Sequence, residues 1–186
     1  MEQSLVSVFL GLGLSAASGF RVFVPLLVLN LAARGGFLEL TPKFGWMASS
    51  EALIAFAAAT LLEIVAYYVP WLDNLLDTVA TPAAVVAGMV ATASVVTGMD
   101  PALRVILAII AGGGLAGAVQ MTTASGRQIS SLTTAGLGNP IISTLELVGS
   151  LGLSLLSVLA PVIAGLLVVL TLILVTRRLR RRRETA

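Results

Sequence analysis

The chain has 186 residues, of which 58% are hydrophobic and 11% charged, with a mean hydropathy of +1.03, whereas ordinary soluble domains carry about 25% charged residues. It contains no cysteine and no histidine, which excludes disulfides, thiolate nucleophiles, imidazole bases and the usual zinc sites, and with them most familiar enzyme chemistry. The formal charge of +2 conceals a division, because six of the eleven basic residues lie between Arg177 and Arg183 and the remainder is slightly acidic.

These limits predict an all-α integral membrane protein of about six transmembrane helices, some of them broken, with one domain over 1–176 and a basic tail over 177–186. Neither an enzymatic activity nor a cofactor is expected. A spanning helix needs roughly 20 apolar residues, and segments of about that length fall at 4–33, 51–70, 74–98, 102–124, 136–152 and 153–176.

The first segment follows Met1-Glu2-Gln3-Ser4, which lacks a basic leader, and it outruns the apolar core of a cleaved signal. It reads as a retained helix with Arg21 near its middle, and Gly11 and Gly13 permit a bend. A loop with Arg34, Lys43 and Trp46 follows. The second segment carries Glu63 and ends at Tyr67, Tyr68 and Trp71. Those rings, like Trp46, sit where amphipathic side chains favour the headgroup layer and read as interface anchors.

Asp73 and Asp77 lie four apart at the start of the third segment, on one helical face. They serve as caps of a helix terminus or as a cation or proton site at the membrane surface. Asp100-Pro101 is an N-cap followed by a first-turn proline. The fourth segment contains Gly112-Gly113-Gly114, which allows a bend or break, and it gives way to a hydroxyl-rich stretch, Thr122 to Thr134. That stretch is too polar for lipid and is read as a vestibule lining, a re-entrant segment or an interfacial loop. Gly138-Asn139-Pro140 then starts the fifth segment, which carries Glu146, and Gly149-Ser150-Leu151-Gly152 is the expected turn into the sixth. Recurrent small residues, as in Gly13-x-x-x-Ala17 and Gly113-x-x-x-Gly117, suit close helix contact within one chain or in a homo-oligomer.

Comparison of the halves adds an organisation. Gly11 to Ala17 resembles Gly112 to Ala118, Leu62-Glu63-Ile64-Val65 resembles Leu145-Glu146-Leu147-Val148, and Leu75 to Pro82 loosely matches Ser154 to Pro161. Matches in one order predict a duplicated three-helix unit, 4–98 and 102–176, and an odd number of spans would invert one copy relative to the other. Glu63 and Glu146 would then approach near the midplane with Arg21 to neutralise one of them. Each buried charge costs about 2.5–3.5 kcal/mol at a helix centre, so each needs a partner or water. The candidate ion- or substrate-binding set is Glu63, Glu146, Arg21, Asp73, Asp77 and Asn139, and no metal is assigned.

The same residues carry a family resemblance. Gly11-Leu12-Gly13-Leu14 with Pro25, Glu63 followed by Pro70, Asp73, Asp77 and Pro82, and Gly138-Asn139-Pro140 with Ser143 and Glu146 resemble a family of small bacterial and plastid membrane proteins, the domain of unknown function numbered four-one-two-six. Such proteins tend to have Asp-Lys where this chain has Tyr67-Tyr68, and an arginine where it has Thr81. The resemblance implies a compact helical membrane fold and supplies no substrate.

The functional expectation is a small transporter or channel-like protein for an ion or small polar solute, set in the cytoplasmic (inner) membrane. The alternative is a non-transporting organiser that interacts with lipids or assembles other components. The arginine tail places both termini in the cytoplasm if the spans are six, and anionic headgroups are its expected partners. A nucleic-acid role is not needed to explain it.

Overall fold

The computed structural model of the protein describes residues 2–184, with all side chains except those of Glu2, Pro70, Trp71, Asp73, Asn74, Leu75, Asp77, Leu179, Arg182, Arg183 and Glu184. The described residues form helices and no strand: α1 (Glu2–Phe20), α2 (Phe23–Arg34), α3 (Ser50–Tyr67), α4 (Pro70–Val95), α5 (Pro101–Leu107), α6 (Gly114–Thr134), α7 (Asn139–Leu159) and α8 (Pro161–Glu184). A π-helical turn, Ala108–Gly113, joins α5 to α6 end to end. Among the described residues six helices are long and apolar enough to cross a membrane, with Pro101–Thr134 counted as one.

The first apolar stretch is not one span. It breaks at Arg21, and α2 folds back along α1. Ser4, Ser7 and Gly11 of α1 bond or abut Gly98, Thr97 and Thr92 at the far end of α4. The segment after α2 returns to that same end, where the Thr41 amide donates to Ser94 O at 2.7 Å and its hydroxyl to Ala93 O at 3.2 Å. At 1.5 Å per residue, the twelve residues of α2 reach about 18 Å, roughly half of a 30 Å hydrocarbon layer. Pro25 sits in the first turn of α2, where its missing N–H leaves no intrahelical bond unmade. The predicted bends at Gly11 and Gly13 are not used, because both glycines sit inside continuous α1 and serve packing.

That hairpin changes the topology expected from the sequence. From α3 onward each long helix reverses its predecessor: Val85, Gly88 and Thr92 of α4 meet Gly117, Ala116 and Gly112 of the chain running the other way. Along α1, Gly13, Ala17 and Arg21 meet Ser157, Ser150 and Ser143 of antiparallel α7. Phe9 abuts Gly165 and Ala16 packs with Val168, so α8 runs parallel to α1. The amino end of α1 and the arginine-rich end of α8 therefore lie at opposite ends of the bundle, where an even number of spans would have put both on one side. Of the matched pairs, Ser15 donates to Gly112 O and Gly19 faces Val119, so α1 and α6 run parallel, whereas α3 and α7, which carry the two glutamates, run oppositely, as inverted copies would.

Two other boundaries differ. The hydroxyl-rich stretch is helical throughout α6, because Thr122, Ser125, Thr133 and Thr134 donate their hydroxyls to the carbonyls of Ala118, Met121, Ile129 and Ser130, one turn back. Back-bonding of this kind hides a hydroxyl from lipid. The helix ends where Ala135 and Gly136 adopt positive φ of 51° and 85°. Helix α7 runs straight through Gly149 to Gly152, and the turn into α8 falls at Ala160-Pro161. Asp100 caps α5 as read, accepting from the Ala102 and Leu103 amides at 2.9 and 3.3 Å.

Small residues bring α1, α4 and the π-turn together. A Cβ on Gly88 would stand 2.6 Å from Ala116 Cβ and 2.7 Å from Gly112 O, so these backbones approach more closely than any side chain allows. Around that contact Leu10, Leu14, Leu26, Leu29, Met47, Phe56 and Val95 form the apolar core. The outward faces of α3, α7 and α8 carry exposed Ile54, Leu145, Leu166 and Leu174, as lipid-facing helices do.

Candidate functional site

The break between α1 and α2 exposes backbone groups inside the bundle. The amides of Val22 and Phe23, at the start of α2, have no carbonyl one turn back. Both donate instead to the two carboxylate oxygens of Glu63 on α3, at 2.7 and 3.1 Å. Glu63 is 9% exposed, and it caps the positive end of α2 from a neighbouring helix.

The same break turns Arg21 inward. Its Nη2 donates to Ser143 O of α7 at 2.8 Å and stands 3.6 Å from Glu146 Oε2. Arg127 of α6 forms an ion pair with Glu146 Oε1. Both guanidinium groups lie against the ring of Tyr67, with Arg21 Cζ 3.9 Å and Arg127 Cζ 4.7 Å from its centroid, a placement that favours a cation. Arg21 and Arg127 are each 1% exposed, Glu146 4% and Tyr67 3%. Glu146 lies seven residues inside α7, about 10 Å from its start, so the cluster occupies the part of the bundle nearer the arginine-rich end.

Two arginines and two glutamates balance in charge. In a medium where an isolated charge is costly, this pairing offsets part of the cost of burying each group. It holds α1, α2, α3, α6 and α7 at one point and puts donors, acceptors and an aromatic face within reach of each other.

The sequence-predicted residues fare differently. Arg21 meets Glu146 directly, and Glu63 joins them through the two residues that follow Arg21. Asn139 is buried, but its Nδ2 donates to Ser131 Oγ at 2.9 Å, tying α7 to α6 two turns from the cluster. The side chains of Asp73 and Asp77, like that of Trp71, lie outside the described residues, while their backbones occupy the opening turns of α4. Tyr67 is not an interface anchor: it is buried under two cations, because it follows Glu63 by four residues on the inward face of α3. Its neighbour Tyr68 and Trp46 are exposed, as anchors would be. Arg127 is not among the sequence candidates, because a fourth apolar segment ending at residue 124 leaves it outside the span. Once the hydroxyl-rich stretch is helical, a lone arginine inside it falls within the bundle, opposite Glu146.

Beside the cluster two apolar grooves open toward the lipid-facing side. One, of ≈ 580 Å³, is lined by Val22, Glu63, Tyr67, Leu76 and neighbours, and the other, of ≈ 550 Å³, by Trp46, Met47, Phe56, Pro82 and neighbours. Both include Val22, Phe23, Val79 and Ala83. They lie between α2, α3 and α4, and no group of three or more metal-ligating acids is found among the described residues.

The sequence pattern of the family described as Domain of unknown function (DUF4126) matches residues 8–181. The chain belongs to that family. No curated protein and no solved structure matches it.

Proposed function

We propose that this member of the DUF4126 family is a small multi-span transporter or channel-like protein for an ion or small polar solute, with Arg21, Glu63 and Glu146 as its polar centre and Arg127 and Tyr67 completing it. The observation that carries the reading is the buried Arg21–Glu146 pair set beside a helix break inside the bundle. Ionisable residues at membrane depth mark solute or proton paths by default, and unwound backbone at such depth is characteristic of transporter binding sites.

The orientation follows from charge. Arg177, Arg178, Arg180 and Arg181 are exposed at the end of α8, and the positive-inside rule assigns that end to the cytoplasm. The amino end of α1 and the loop with Arg34 and Lys43 then face outward, across the cytoplasmic (inner) membrane. Asn139 starts α7 at the cytoplasmic end, and the backbones of Asp73 and Asp77 lie at the same end in the opening turns of α4. Anionic headgroups are the partners of the tail. Solute flux into proteoliposomes, compared between the wild type, Glu63→Gln and Glu146→Gln, tests the assignment.

The two apolar grooves favour one second reading, a lipid-interacting organiser that does not transport. It is supported if the protein retains bound lipid through purification while no solute crosses.

A further inference from the structure

Arg21 has more hydrogen-bonding capacity than its surroundings use. A guanidinium offers five N–H donors and no acceptor. Nη2 is engaged by Ser143 O and approached by Glu146, while Nε and Nη1 have no hydrogen-bond partner. The Ser143 hydroxyl, on the very residue whose carbonyl Arg21 engages, also has no partner and is 0% exposed. Buried polar groups without partners are rare in native proteins, and an ion is one of the few things that accounts for them.

The chemistry of the open groups selects the ligand. The open Nε and Nη1 of Arg21 can only donate and the Ser143 hydroxyl can donate beside them, so the partner they call for is an acceptor, and a guanidinium repels a metal cation or an ammonium group. The nearby carboxylates are already committed. Both oxygens of Glu63 accept from the Val22 and Phe23 amides, and Glu146 faces Arg127 and Arg21. The four side chains balance in charge and the start of α2 adds only a partial positive charge, so the site has no room for more than one further negative charge. The ligand is also small, because Arg21 and Ser143 are withdrawn from solvent between α1 and α7.

We propose that Arg21 Nε and Nη1, with the Ser143 hydroxyl, form a binding site for a small monovalent anion. That this anion is the transported solute rests on the transport reading above; that it binds does not.

Purified full-length protein in nanodiscs, kept in gluconate, is titrated with chloride, nitrate or formate at constant ionic strength, and its thermal midpoint is followed. A ligand that binds only the folded state raises the midpoint in a saturable way. The expected result is saturable stabilisation by the small anions and not by gluconate, with Ser143→Ala folding normally and binding roughly tenfold more weakly, the scale of one hydrogen bond to a charge. Arg21→Lys keeps the charge, loses the open donors and should lose the response. Equal midpoints in gluconate and in every small anion for the wild type would overturn the proposal, as would a response unchanged in Ser143→Ala. Flux separates the two readings: anion binding without any flux removes transport and leaves the site, whereas flux of a cation or neutral solute with no anion response removes the site and leaves transport.

Discussion

Arg21 and Glu146 stand 3.6 Å apart with 1% and 4% of their side chains exposed, although 124 residues lie between them and one sits in the break between α1 and α2 while the other is inside α7. The contact exists because the chain breaks after α1 and because α7 runs antiparallel to α1, bringing Ser143 and Glu146 level with the break. Glu146 also pairs with Arg127. Removing it therefore strands two buried cations, and removing Arg127 strands none entirely. Glu146→Ala should destabilise the fold by about 3–5 kcal/mol, the range for an orphaned buried charge, and Arg127→Ala by less. Thermal unfolding in one detergent ranks them.

Glu63 acts on backbone rather than on a side chain. Glu63→Ala leaves the Val22 and Phe23 amides unpaired at the start of α2 and should cost about 1.5–3 kcal/mol, as hydrogen bonds to a charged group do. Amide hydrogen exchange should rise in residues 22–26 with the outer turns of α8 unaffected. Uniform acceleration along the chain would mean that Glu63 is not a local cap.

The glycines divide into two kinds. Gly88→Ala places a methyl 2.7 Å from Gly112 O, a backbone atom that cannot swing aside, and should cost about 1–3 kcal/mol by overpacking. A methyl on Gly149 or Gly152 meets nothing within 4 Å. Those substitutions should be neutral to slightly stabilising, since alanine favours helix over glycine by about 1 kcal/mol.

Much of the fold was legible in composition alone. Six apolar helices, the cap at Asp100 and the inward demand of Arg21, Glu63 and Glu146 all follow from the energetics of placing charge and backbone in lipid. The hairpin was not legible, because a stretch of thirty apolar residues reads as one long span when no polar loop interrupts it. The turn is made by Arg21 itself, and its stabilising partner Glu63 lies 42 residues away. From the hairpin follows the reversal that puts the two ends of the chain at opposite ends of the bundle. Arg127 was hidden for a different reason: threonines and serines satisfy their hydroxyls on the preceding turn, so polarity in α6 does not signal a loop.

Topology is open to a direct check, because the chain has no native cysteine. Ser4→Cys and Phe37→Cys, which lie at the same end of the bundle, should react with a membrane-impermeant thiol reagent on intact cells. Arg178→Cys, at the other end, should react only after permeabilisation. Matching behaviour of Ser4→Cys and Arg178→Cys would contradict the hairpin.

The central claim is that solute passes by way of the Arg21–Glu146 centre. The most direct measurement is flux into proteoliposomes loaded with the wild type, Glu146→Gln or Glu63→Gln, each first shown to be folded by its thermal transition. The account predicts measurable flux for the wild type and at least a tenfold loss in Glu146→Gln, corresponding to about 1.4 kcal/mol. Equal flux in wild type and folded Glu146→Gln, or none above protein-free vesicles for any of them, would contradict it.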